Sequence, residues 1–176
     1  MNETQQTIEE ILQNIKIRKE LLDKYNKIDM LYIRSKKYLR DEYNEVGEKE
    51  KSDNISREII ELILKRDKID NFKENIEELD KIILSCYDSL ARNGDFESFL
   101  IALEWNRKKE KKFYIPRMKI LKKHGIIQAL QDLCDGKYKI LSISLPARTG
   151  KSTISLLYVL FLMGLHPEKA ILGSRT

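Results

Sequence analysis

The chain has 176 residues, of which 41% are hydrophobic and 35% charged, with 33 Lys/Arg against 28 Asp/Glu for a net charge of +5. A charged share above the usual quarter suits long exposed helices better than one tight globule, and the length allows one domain or a domain and a half. No run reaches the roughly 18 apolar residues that a membrane span needs, and the start Met1-Asn2-Glu3-Thr4-Gln5-Gln6 lacks the basic and apolar parts of a signal peptide, so a cytoplasmic protein is expected.

From Ile8 onward, apolar residues recur at steps of three and four: Ile8, Ile11, Ile15, Leu22, Tyr25, Tyr32, Leu39, Tyr43 and Val46. That spacing predicts a long amphipathic helix or helix pair with coiled-coil-like packing. The stretch 47–54 is polar, and Ser52-Asp53-Asn54 suits the end of one helix and the cap of the next. A second stripe follows through Ile55, Ile59, Leu62, Ile69, Phe72, Ile76, Leu79, Ile83, Cys86 and Leu90. Two such helices joined by one turn would pack as an antiparallel hairpin, so residues 1–92 read as a structural or partner-docking hairpin without chemistry of its own.

Arg92-Asn93-Gly94-Asp95 is a strong break, because Asn93-Gly94 can take the left-handed conformation that ends a helix and Asp95 can cap the next. A short helix over 96–107 and a basic stretch then form a connecting segment, 93–112. Phe113-Tyr114-Ile115-Pro116 is expected to be extended, since Pro116 biases Ile115 away from helix. A helix over 117–134 precedes a β-strand at 139–145, a loop, an apolar helix at 151–165 that is expected to be buried nearly all round, and a second parallel strand at 170–174. The predicted fold class is α/β: a long N-terminal helical hairpin followed by the truncated start of a P-loop NTPase parallel-sheet domain, 113–176.

The chemistry concentrates in the loop. In Leu145-Pro146-Ala147-Arg148-Thr149-Gly150-Lys151-Ser152-Thr153 the order strand, loop, helix is the one a phosphate-binding loop requires. A glycine at 150 lets the backbone pass close to phosphate, Lys151 would reach the β/γ-phosphates, Ser152 would ligate Mg²⁺, and the following helix would point its positive end at the anion. The loop departs from G-x-x-x-x-G-K-[ST] at its head, where Leu145 replaces the first glycine. Charge is unevenly spread: residues 1–110 hold 21 Lys/Arg against 25 Asp/Glu, net −4, whereas 111–176 hold 12 against 3, net +9. A surface that handles a polyanion has that excess, as does the solvated face of a basic helix. Cys86 and Cys134 lie far apart with no C-x-x-C, and His124 and His166 read as surface or capping residues, so no His/Cys metal site is expected.

Leu-Pro-Ala-Arg-Thr-Gly-Lys-Ser resembles the variant Walker A loop of the large terminase subunit, the DNA-packaging ATPase of tailed bacteriophages, which often reads P-x-R-x-G-K-S. The stretches 130–137 and 161–176 are also similar to that family, so the resemblance extends over 90–176. It implies ATP and Mg²⁺ as cofactors, held by Pro146, Ala147, Arg148, Thr149, Gly150, Lys151, Ser152 and Thr153, with Arg148 and Lys151 as the catalytic pair and Ser152 on the metal. It implies an adenine contact from Gln128 or Gln131, or stacking on Tyr114. It further implies double-stranded DNA, the small terminase subunit and the portal protein as partners, a homo-oligomeric ring, and the host bacterial cytoplasm. Between Lys151 and Thr176 the sole acid is Glu168. The acids that would hold Mg²⁺ and orient water are therefore expected beyond these residues, along with the family's nuclease domain, and the chain alone is expected not to hydrolyse ATP. The rival expectations are a helicase-like P-loop translocase and a non-catalytic helical interaction protein with a vestigial nucleotide loop.

Overall fold

Every regular element among the residues described by the computed structural model, 3–23, 30–65, 75–144 and 150–166, is helical. The chain divides into two units, Met1–Ser89 and Leu90–Thr176.

The first unit contains α1 (Glu3–Leu22), α2 (Met30–Glu45), α3 (Lys49–Leu64) and α4 (Ile76–Arg92), the last running on past the unit boundary. Among the described residues the first stripe is thus the helix pair α1 and α2, one of its two expected forms, whereas the second, expected as one helix of a hairpin, is divided between α3 and α4. The apolar stripes were legible, but α2 has neighbours on several sides. It buries Tyr32, Ile33, Lys36, Leu39, Arg40 and Tyr43, an arc wider than the two positions per heptad of a coiled-coil seam. Ile15, Leu39 and Tyr43 form one core, with Ile11, Leu22, Val46 and Ile55 against it. Burying Lys36 and Arg40 is tolerable because each has partners. Lys36 pairs with Glu58 of α3, and Arg40 reaches Asp41, the Ser85 hydroxyl at 3.1 Å and the Cys86 sulfur at 3.2 Å. Arg18 of α1 meets the Glu42 carboxylate through Nε and Nη2, and that hydrogen-bonded contact holds the guanidinium above its ordinary pKa. Arg34 of α2 forks onto Glu78 of α4 at 2.6 Å, which depresses the Glu78 carboxyl.

The turn before α3 comes earlier than expected. Gly47, at φ 77°, closes it, and α3 starts at Lys49 after Glu48, with no side-chain cap. Ser52 and Ser56 lie inside α3 with no exposed surface, and their hydroxyls have no hydrogen-bond partner among the described residues.

The second unit packs α5 (Phe96–Glu104), a 3₁₀ turn Ile115–Arg117, α6 (Met118–Lys123), α7 (Ile126–Cys134) and α8 (Lys151–Leu165) around one core. The break at 93–95 is as read: Gly94 has φ 108° and the Asp95 side chain accepts from the Ser98 N–H at 3.0 Å. Phe96 sits in the middle, edge-on to Tyr158 at 5.2 Å and tilted against Phe161 at 5.3 Å. Pro116 occupies the first turn of the 3₁₀ segment instead of holding 113–116 extended; its missing N–H costs nothing there. The single helix expected over 117–134 breaks at Gly125, which adopts φ 69°.

The α/β expectation is overturned. Residues 138–144 carry no β-ladder, although the alternation survives: Leu141 and Ile143 turn towards the core while Ile140 is 88% exposed. An extended segment becomes a strand only when a neighbour pairs with its N–H and C=O groups, and no such neighbour exists among the described residues. The second expected strand, 170–174, lies outside them. α8 begins and ends where expected, but it buries one face, Ile154, Tyr158 and Phe161, and leaves Leu156, Leu160 and Met163 half-exposed. No helix of the described residues is long and apolar enough to cross a membrane.

Candidate functional site

Of the residues singled out for the loop, Leu145, Pro146, Ala147, Arg148 and Thr149 lie outside the described residues, and Gly150, Lys151, Ser152 and Thr153 lie within them. Gly150 sits at φ 83°, ψ 19° as the N-cap of α8, a left-handed conformation that glycine takes without penalty. The first bond inside the helix runs from the Ile154 N–H to the Gly150 carbonyl at 2.9 Å. The N–H groups of Lys151, Ser152 and Thr153 precede it and find no acceptor within the helix, and Gly150 at the N-cap has no side chain to cap them. All three side chains are exposed. The positive end of a 15-residue helix dipole, three N–H groups without an intrahelical acceptor and the exposed Lys151 thus belong to the same first turn.

What holds that point is a segment upstream. A Cβ on Gly150 would come within 2.5 Å of Phe113 Cε1 and 2.7 Å of its Cζ, so the ring lies directly on the glycine. The Gly150 requirement therefore has a packing cause as well as a conformational one, apart from any ligand. Phe113 is fixed in turn by Glu104. Its carboxylate, 1% exposed, accepts from the N–H groups of Phe113 at 2.9 Å, Tyr114 at 2.8 Å and Ile115 at 3.0 Å. Three converging donors offset the cost of burying the charge and clamp the segment onto α5. Arg117, one helical turn on, lies over the Phe113 ring at 4.1 Å and donates Nη1 to the Phe113 carbonyl at 2.9 Å.

Tyr114, read as a stacking partner for a base, is 3% exposed and belongs to the core. Burial, then the nearby Glu104 carboxylate, pushes its phenol above the ordinary tyrosine pKa, with the Thr153 side chain pulling the other way. Thr153 is close enough for that but not placed to complete a hydrogen bond, and the Tyr114 hydroxyl has no partner among the described residues. Gln131 is committed elsewhere. Its carbonyl accepts from the Phe96 N–H at 2.9 Å, and its amide donates to the Gly94 carbonyl at 2.9 Å and to Asp135 at 2.8 Å, which pins the 94–96 turn to α7. Gln128 is exposed and donates to Asp132 at 2.8 Å. Neither glutamine is brought to the head of α8 by a contact found here.

Sequence reasoning missed Glu104, Phe113 and Arg117. Glu104 left a signal, a lone acid at the end of the apolar run Phe99-Leu100-Ile101-Ala102-Leu103; the i, i+4 spacing of Phe113 and Arg117 was visible only if the segment was helical. Among the described residues no cluster of three His, Cys, Asp or Glu could hold a metal ion. Comparison with protein-family models, curated proteins and solved structures found no match.

Proposed function

We propose that the chain binds ATP as the N-terminal segment of a terminase-type DNA-packaging motor. The observation that carries this reading is Gly150, left-handed and immediately followed by Lys151 and Ser152 at the open N-terminus of α8, at the end of the sequence Leu-Pro-Ala-Arg-Thr. Residues 138–144 pair with no strand among the described residues, so the reading stands on the loop sequence and the helix terminus alone. Its support is the loop sequence together with the donors described above.

In this reading the N–H groups of the first turn and the Lys151 ammonium bind the β- and γ-phosphates. Ser152 offers Mg²⁺ one exposed hydroxyl and no carboxylate, a donor set that fits a magnesium ion held mostly by phosphate oxygens and water. Bound there, the ion would neutralise charge on the phosphate chain. Arg148 takes the loop-arginine role, and its substitution would lower turnover of the complete motor more than binding. Packaging of double-stranded DNA, the small terminase subunit and portal protein as partners, ring assembly and the bacterial cytoplasm belong to the same proposal.

Calorimetry of Mg·ATP on the 176-residue chain tests it. Lys151→Ala is expected to abolish binding while helix content stays as in wild type. Equal affinity in the two proteins would refute the assignment.

A further inference from the structure

Arg117 is the cation that lies on the Phe113 ring. It is exposed, yet held at two points, by its bond to the Phe113 carbonyl and by its position over the Phe113 ring. No carboxylate among the described residues pairs with it. The contrast with Lys122, which pairs with Glu97 at 2.9 Å, is direct. The ring that carries Arg117 is the ring that lies on Gly150. A fixed and unneutralised guanidinium is thereby set one benzene ring from the glycine that opens α8. Holding it there costs side-chain freedom, and that cost is met before any ligand arrives.

A second observation points to the same place. The Tyr114 hydroxyl, on a side chain almost wholly buried, is left without a hydrogen-bond partner against the first turn of α8, beside Thr153. Buried hydroxyls are rarely left so. An acceptor arriving at the head of the helix would draw the Thr153 side chain and this hydroxyl into its network.

We propose that Arg117 is a second anion-binding cation of this site, contacting the phosphate chain that Lys151 and the first turn of α8 receive. The inference rests on the nucleotide reading and adds to it a residue from outside the loop. Phe113 is the positioning residue, because it acts through Arg117, and Glu104 sets Phe113. A guanidinium suits this place better than an ammonium, since its flat face can stay on the ring while its in-plane N–H groups meet phosphate oxygens.

The experiment titrates ATP, adenosine and inorganic tripolyphosphate, with Mg²⁺, onto wild type, Arg117→Gln, Arg117→Lys and Lys151→Ala. Arg117→Gln is expected to weaken ATP and tripolyphosphate by the same factor, about tenfold or more, the size of one charge-assisted hydrogen bond. Arg117→Lys is expected to fall between, keeping the charge but losing the fork. Arg117 is exposed, so both variants should keep the wild-type helix content, with only a small drop in melting point from the lost contacts with Phe113. If Arg117→Gln bound both ligands as wild type does while Lys151→Ala bound neither, the role of Arg117 would be overturned and the nucleotide site would stand. If Arg117→Gln weakened ATP but not tripolyphosphate, the guanidinium would be reading the base, and the proposal would again be wrong. Binding unaffected by Lys151→Ala would instead remove the nucleotide reading itself.

Discussion

The two units differ in where their cations go, although the second, like the first, holds ion pairs: Lys122 with Glu97 and Lys137 with Asp132. In the first, net acidic unit, cations on α1 and α2 are paired with carboxylates, some part-buried and some exposed: Arg18 with Glu42, Arg34 with Glu78, Lys36 with Glu58 and Arg40 with Asp41. In the second, Glu104 is buried and used for backbone N–H groups, while Arg117, Lys119, Lys123 and Lys151 are exposed and have no carboxylate partner among the described residues. The difference teaches where an anion would find unspent charge. A helix-to-helix ion pair fixes register and has little left to give; an unpaired cation beside an open helix terminus is available.

The sharpest way to break this contrast is to remove the buried acid. Glu104→Ala would strand three N–H groups in the core, a loss of about 3 kcal/mol or more given the cost of unsatisfied buried donors. Thermal unfolding should show the second unit melting well below wild type, and an unchanged midpoint would mean that water replaces the carboxylate. Gly150→Ala comes next. The left-handed backbone costs an alanine about 1–2 kcal/mol, and the contact with Phe113 adds to it, so both stability and nucleotide binding should fall. A variant as stable as wild type would show that Phe113 can move away.

In the first unit, Arg18→Ala and Glu42→Ala should each destabilise by about 1 kcal/mol, with a double-mutant cycle giving a smaller coupling, because the pair is only partly buried. A coupling of zero would remove the pair as a register device. The smallest effect is expected at Tyr158, whose hydroxyl is buried without a partner. Burial, with Cys134 and Asp135 adding, pushes its pKa up to about 12, from an ordinary value of about 10. A raised pKa contributes stability that is complete below about pH 10 and is lost as pH climbs through about 12. Tyr158→Phe should therefore melt at or slightly above the wild-type temperature at neutral pH and lose less stability between those two values; a clear drop at neutral pH would mean that the hydroxyl is satisfied after all.

How much of this was legible depended on whether a feature was local. The cap at Asp95, the start of α8 at Lys151 and its end at Leu165 are set by neighbouring residues and were read correctly. In the first unit the stripe shared by α1 and α2 was read as a long helix or a helix pair and the stripe shared by α3 and α4 as one helix, because periodicity reports a stripe and not where the helix bearing it ends. The strand expected at 139–145 is absent over its described residues, 139–144, for a different reason. Ile-Leu-Ser-Ile-Ser has the alternation of a strand, but a strand exists only with a partner, and partners are tertiary facts. Of the candidate site, Gly150, Lys151 and Ser152 were singled out by spacing, whereas Glu104, Phe113 and Arg117 are placed beside them by contacts that spacing does not encode.

Amide hydrogen exchange on the whole chain, with and without Mg·ATP, tests the central claim most directly, because it reads both units in one measurement. The account predicts added protection at the N–H groups of Lys151, Ser152 and Thr153 and across 113–117, with residues 3–65 unchanged. Protection that appeared along α1 to α3, or none at the head of α8 at saturating nucleotide, would contradict it.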